Sequence, residues 1–208
     1  MAPPRTRRDP GAKRDELIAA AARVVSRDGV AATTTRRIAE EAGVPLGTVH
    51  YWFASKDELV QEVALAHLRE VQGAGRDVPA GAPQGPAEDA LRRLRAALAA
   101  EESFDRGRRL SLYELTTWSL RSEGRAEIAR QQYSAMREAA RSVTDPWVQA
   151  HVPDGSGDVD PEVLAGFVGV FVDGLALAEL ADPEGTPAEE LLQFFSRLMG
   201  LWIRDQET

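Results

Sequence analysis

From residue 13 to the end of the chain, apolar residues recur at helical spacing, and no alternating β-branched run bounded by hairpin turns occurs anywhere. A chain patterned in this way has one fold class open to it, all-α, built of amphipathic helices that bury one stripe each. In the first helix Ile18, Ala21, Ala22 and Val25 share a face, and Gly29, after Arg27 and Asp28, is the predicted stop. Thr34 is placed to N-cap a short helix over 35–42, Gly43 to turn the chain, and a third short helix follows over 46–53. Ser55, with Glu58 three residues on, has the spacing of a capping box that opens a fourth helix towards residue 71.

Residues 72–88 carry Gly73, Gly75, Gly81 and Gly85 with Pro79, Pro83 and Pro86, which no helix can run through. Beyond this break the pattern predicts helices over 89–103, 106–122, 124–150, 161–181 and 187–204, with a Gly- and Asp-rich loop over 153–160. Three regions follow: a basic arm (1–12), a small three-helix domain (13–60) and a larger helical domain (61–208).

Composition narrows the chemistry. The chain has 208 residues with 43% hydrophobic and 28% charged, enough to bury a core, and it has no cysteine, which removes disulfides, thiolate nucleophiles and cysteine zinc sites. The N-terminus is basic and lacks an apolar stretch, so no secretory signal is expected. The apolar run Val163 to Ala181 is interrupted by Asp173 and Glu179, which suits a buried helix better than a membrane span and points to a cytoplasmic protein. The net charge is −8, unevenly spread: residues 1–60 hold ten Lys/Arg against eight Asp/Glu, the remainder fifteen against twenty-five. Only the N-terminal part is therefore suited to face phosphates. Asparagine, the usual adenine-reading side chain, is absent altogether.

The densest motif lies between Thr35 and Trp52. Ala39 is small where two helices would cross, Gly43 supplies the turn, and Ile38, Val44 and Val49 fill the space between the helices, the layout of a helix-turn-helix. Any αα-hairpin asks for the same core residues. The surrounding text, TTTRRIAEEAGVPLGTVHYWFASKDELV over residues 33–60, resembles the N-terminal domain of the TetR family of transcriptional repressors. The likeness runs through Gly29, the AGV turn, Gly47-Thr48, the aromatic cluster and Ser55-Lys56, over roughly residues 13–60; beyond them it is one of layout. It implies a homodimer that binds an inverted-repeat operator on double-stranded DNA and lets go when a small effector is bound.

With Val49 and Phe53 turned inward, Gly47, Thr48, His50 and Tyr51 become the groove-facing residues of the third helix. Thr34, Thr35, Tyr51, Trp52 and Lys56 are candidates for phosphate contacts through hydroxyls, an indole N–H, a helix start and an ammonium. Arg36 has the reach for a bidentate contact with a guanine edge, and a solvated helix arginine is the plainer reading; Lys56 has the same plainer alternative. His50 stands where the family usually has tyrosine, which bears on the phosphate contact made there and introduces a titratable ring. Arg5, Arg7, Arg8, Lys13 and Arg14 either lie along phosphates or in a minor groove, or form a solubilising tail.

Ten of the thirteen aromatic residues lie beyond the helix-turn-helix. Core packing accounts for many of them, and together they suggest a pocket for a small apolar or aromatic effector, with Tyr113, Trp118, Tyr133, Met136, Phe167, Phe171 and Asp173 as candidates. Asp173 needs a partner in its apolar run, and an arginine suits it as well as a cationic ligand. Gly166, Val170 and Gly174, with Leu191, Phe194, Phe195, Leu198 and Trp202 on the last helix, are expected to form a two-fold four-helix dimer interface. Enzymatic chemistry finds no support: no nucleophile-elbow, P-loop or dinucleotide motif occurs, and His50, His67 and His151 fall on separate elements. His67 and Glu70 read as a solvated face, and Asp154, Asp158 and Asp160 fail as a calcium loop, having Val159 in the place of the glycine and Ala165 in that of the last glutamate. No cofactor or metal is expected. The rival reading, from another class, is a helical adaptor whose helix-turn-helix packs on a partner protein and has no DNA affinity.

Overall fold

A computed structural model describes residues 10–74, 85–152 and 160–206. Among them the chain is all-α, with nine helices and no strand: α1 (Pro10–Ala32), α2 (Thr35–Glu41), α3 (Leu46–Trp52), α4 (Lys56–Ala74), α5 (Pro86–Glu102), α6 (Arg106–Arg121), α7 (Ala126–His151), α8 (Pro161–Ala181) and α9 (Ala188–Gln206). Arg5, Arg7 and Arg8 of the basic arm, most of the Gly/Pro-rich break, and Asp154 and Asp158 of the acidic loop lie outside the described residues. The boundaries follow local chemistry. Thr34 caps α2 by accepting from the Arg37 amide at 3.2 Å, Ser55 caps α4 by accepting from that of Glu58 at 3.1 Å, and Asp160 caps α8 by accepting from that of Glu162 at 2.8 Å. Gly29 leaves the helical region (φ 81, ψ 163) without ending α1, because one further turn, Val30–Ala32, follows the kink.

The chain forms two compact units. The first comprises the described residues up to His67 together with Gly107–Ala129; the second comprises Leu68–Arg106 together with the described residues from Arg130 on. In the first unit, Leu17, Ala20, Val24 and Val25 of α1 bury themselves against Ile38 and Ala39 of α2, Val49 of α3, Phe53, and Leu59, Val60 and Val63 of α4. Leu115 of α6 and Ile128 of α7 join the same core, so the helix-turn-helix packs with more of the chain than its own three helices. His67 lies in this unit 5% exposed, not on a solvated face, and its Nδ1 has no hydrogen-bond partner among the described residues. Burial, reinforced by the positive charge of Arg108, lowers its pKa to about 4.

The second unit packs α5 on α8 and α9 around Leu94, Leu98, Trp147, Leu164, Val168, Leu175, Leu192, Phe195 and Ile203. Within it the Asp89 carboxylate is fully buried. It accepts from Arg93 Nε at 3.0 Å and from Arg92, and His151 Nε2 lies 3.3 Å away. Burial alone would raise the Asp89 pKa; the hydrogen bonds from Arg92 and Arg93, the charge of Arg93 and the contact with His151 outweigh it and hold the carboxyl below its ordinary range. α8 is long and apolar enough to cross a membrane by length and composition, yet its Leu164, Ala165, Val168, Val172, Leu175, Ala176 and Leu180 are buried inside the protein.

Candidate nucleic-acid interface

The geometry of α2 and α3 begins with what they bury. Ile38 and Ala39 face inward from α2, Gly43 makes the turn at φ 64, and the Val44 amide donates to the Ala39 carbonyl at 3.0 Å, which closes the corner. α3 then buries Val49 completely, and Phe53 immediately after it is 1% exposed. With that side fixed, helical spacing turns Gly47, His50 and Tyr51 to the outside and leaves Thr48 half-buried. Tyr51 is 80% exposed, and its ring meets the half-buried Trp52 edge-on with centroids 5.3 Å apart.

α2 is anchored to α1 by charge. Glu41 accepts from Arg23 Nε at 2.7 Å and from Arg27 Nη1 at 2.9 Å, and these hydrogen bonds lower its pKa. Arg37 is turned back as well: its Nη1 donates to the Ala32 carbonyl at 3.0 Å and lies 3.5 Å from Asp28. Its neighbour Arg36 is different. The Arg36 side chain is 81% exposed and is paired with Glu40 one turn on, at 3.0 Å. Such an exposed i,i+4 pair is worth a few tenths of a kcal/mol, about 0.2–0.5, so exchanging it for another acceptor costs little.

Thr34 is exposed and Thr35 half-buried, both at the start of α2, where amides of the first turn point outward. Lys56 is more committed than its sequence position suggests. Half-buried at the start of α4, it donates from Nζ to the Val30 carbonyl at 3.3 Å. Lys13 and Arg14 lie in α1: Lys13 pairs with Glu16 at 2.6 Å, while Arg14 lies 2.9 Å from Glu62 and 5.3 Å over the Phe53 ring. The structure therefore brings the nine interface candidates onto one small head built of α2, α3 and the start of α4.

The seven pocket candidates are not gathered in this way. Tyr113 and Trp118 belong to the first unit, where Trp118 packs against the core and carries the Arg125 guanidinium 5.3 Å over its ring. The other five belong to the second. There Phe171 stacks on Phe195 at 5.0 Å, and Phe167, more than half exposed, stacks on the same ring at 5.4 Å from the solvent side. Gly169 of α8 lets α7 approach at Met136 and Ala140, and burial together with the negative charge of Asp173 raises the Tyr133 pKa. Sequence reasoning missed a groove of about 880 Å³ along α7, lined by Gln131, Ser134, Glu138, Arg141 and Asp145 with Leu68. Its lining mixes polar side chains with Leu68, Ala135, Ala139 and Pro146 and holds no aromatic residue, so the aromatic residues gave no hint of it. A second, small cavity of about 20 Å³ sits beside Arg93, Thr144 and Trp147, and Thr144 Oγ1 is buried there with no partner among the described residues.

Of the eight dimer candidates, Gly166, Val170, Gly174, Leu191, Phe194 and Leu198 lie partly or fully exposed on α8 and α9, with Val163, Phe167, Leu177 and Leu201 exposed beside them. Phe195 and Trp202 turn the other way. Phe195 is buried, and Trp202 stacks on Trp147 at 6.3 Å, because both fall on the inner stripe of α9. Among the described residues no cluster of His, Asp or Glu could hold a metal ion.

Comparison with known proteins finds likenesses to transcription regulators. A family model described as bacterial regulatory proteins, tetR family, matches residues 17–63. The nicotine-responsive transcriptional repressor HdnoR of Paenarthrobacter nicotinovorans is 28% identical over 86% of this chain and 89% of its own. The transcriptional repressor KstR2 of Rhodococcus jostii is 27% identical over 75% of this chain and 74% of its own. Among solved structures, a putative transcriptional regulator from Pseudomonas aeruginosa PAO1 superimposes with a TM-score of 0.68 at 23% identity, covering 97% of this chain and 93% of the other.

Proposed function

We propose that the chain, whose residues 17–63 match the tetR family model, is a TetR-family ligand-responsive repressor that binds an inverted-repeat operator as a homodimer in the cytoplasm. One observation carries the reading: α3 buries Val49 while Gly47, His50 and Tyr51 stand outside, beside the exposed Arg36. A packing hairpin has no need of such a face, whereas a recognition helix entering the major groove requires it. Thr34, Thr35, Tyr51, Trp52 and Lys56 take the phosphates; Thr48, His50 and Arg36 read base edges. Two heads are needed for an inverted repeat, and the exposed apolar residues of α8 and α9 supply the self-complementary face that a two-fold dimer uses.

The effector is small and apolar or aromatic. In support, the relative HdnoR is named for its response to nicotine, a small heteroaromatic molecule, and most of this chain's aromatic side chains lie outside the DNA-reading head. Release follows if the effector prefers the arrangement that does not fit the operator; an effector with equal affinity for both would shift nothing. The adaptor reading makes the opposite prediction about DNA. In-vitro selection from random duplexes by the ligand-free protein is expected to enrich a palindrome. No enrichment from a protein shown to be folded and dimeric by sedimentation would overturn the operator reading in favour of the adaptor.

A further inference from the structure

The two peptide groups flanking Val30 are held by side chains from elements far away in sequence. Gly29 adopts φ 81 and ψ 163, a conformation open essentially to glycine alone, and the helical turn that restarts at Val30 leaves its N–H as an orphan donor. Val30 is 6% exposed, so solvent does not readily supply the acceptor. Glu114 of α6 supplies it, with Oε2 accepting from the Val30 amide at 2.6 Å, the short distance of a charge-assisted bond. On the other side of the residue, the Val30 carbonyl accepts from Lys56 Nζ and from the Thr33 amide, each at 3.3 Å, and Thr33 Oγ1 donates to the Gly29 carbonyl at 2.7 Å. A Cβ at position 29 would stand 2.9 Å from Glu114 Oε2, so the carboxylate would have to shift to make room for it.

Four residues after Val30 comes Thr34, the N-cap of α2 and the first residue of the DNA-reading surface. We infer that Glu114 is a positioning residue for DNA reading: its carboxylate, by accepting from the Val30 amide, fixes the kink from which α2 sets out and so aims Thr34, Thr35 and Arg36. The inference rests on the DNA-binding reading above. It assigns a role to a carboxylate that touches no DNA and that the helix-turn-helix motif does not contain.

Charge makes the inference sharp. A carboxylate near a DNA-binding face repels phosphate, so its removal would tighten binding if repulsion were its only effect; loss of positioning does the reverse. The test measures affinity of the full chain for the selected duplex at several salt concentrations, with hydrogen exchange over 29–33 and thermal melting in parallel. Glu114→Ala is expected to bind about tenfold or more weakly, with an unchanged salt slope and lost protection at the Val30 amide. Glu114→Gln, whose side-chain oxygen still accepts, is expected to recover most of the affinity. Glu114→Asp, which keeps the charge but falls short of the amide, is expected to resemble alanine. If the alanine variant does not fold, the Gln and Asp variants decide. Variants that bind as tightly as the parent or tighter, or aspartate as good as glutamate, would overturn the positioning role alone. A parent that binds no duplex would overturn the DNA reading and this inference with it.

Discussion

His67 and Asp89 make opposite use of burial. His67 is kept neutral: burial holds its pKa at about 4, below the 6.5 of an exposed imidazole, so between those two values the unfolded chain binds a proton that the fold refuses. The stability His67 allows is complete above pH 6.5 and falls as the pH drops towards 4, in total by about 3 kcal/mol. Asp89 is kept charged below its ordinary pKa of 3.8 by Arg92, Arg93 and His151. Its contribution is therefore present above pH 3.8 and is lost only in more acid solution. The stability of the parent towards urea is expected to fall steadily from pH 6.5 to 4, and His67→Leu to flatten that slope; an equal slope in both would remove His67 as its cause. At Gly29 the constraint is the backbone. Gly29→Ala meets both the positive φ and the Glu114 carboxylate, and a loss of roughly 1–3 kcal/mol is expected as a lowered melting temperature.

Among the elements, α2, α3 and the start of α4 were the most legible from sequence, because short-range signals define them. Thr34 and Ser55 cap as their types require, Gly43 turns as only glycine readily does, and Val49 and Phe53 are buried where the helix-turn-helix spacing puts them. What the sequence hides is long-range. Glu114 lies 84 residues from the amide it caps, and nothing in its neighbourhood marks it. Similarly, Phe194 and Phe195 are adjacent and chemically identical, yet one is 62% exposed and the other buried; only the angular position of the stripe on α9 separates them. The two basic residues of the head give a contrast that binding can resolve. Arg36→Ala is expected to relax preference at one operator position, read by repeating the duplex selection with the variant. Lys56→Ala is expected to weaken binding to all sequences and lower the salt slope by about one, the mark of a lost phosphate contact. If Lys56 serves only the Val30 carbonyl, affinity falls with the slope unchanged, and the phosphate assignment goes.

At the scale of the molecule, the question is what covers α8 and α9. Val163, Phe167, Val170 and Leu177 on one helix and Leu191, Phe194, Leu198 and Leu201 on the other leave large apolar side chains open to water, Val170 by 67% and Phe194 by 62%. Scattered single exposures are ordinary, but eight on two helices form the kind of surface a monomer rarely keeps. Gly166 and Gly174 flank Val170 at four-residue spacing, a stripe low enough for a second copy of the helix to come close. Introducing a charge at the middle of this face tests the dimer without disturbing the head, since Phe194 belongs to the second unit and the interface candidates to the first. Phe194→Glu is expected to keep its helix content and to sediment as a monomer at concentrations where the parent is a dimer. Affinity for the full palindrome should then fall by at least two orders of magnitude, while affinity for an isolated half-site, weak in both proteins, should change little, because one head still docks. A variant that stays dimeric would place the two-fold contact elsewhere on the chain; one that is monomeric yet holds the palindrome as tightly as the parent would separate operator binding from dimerisation altogether.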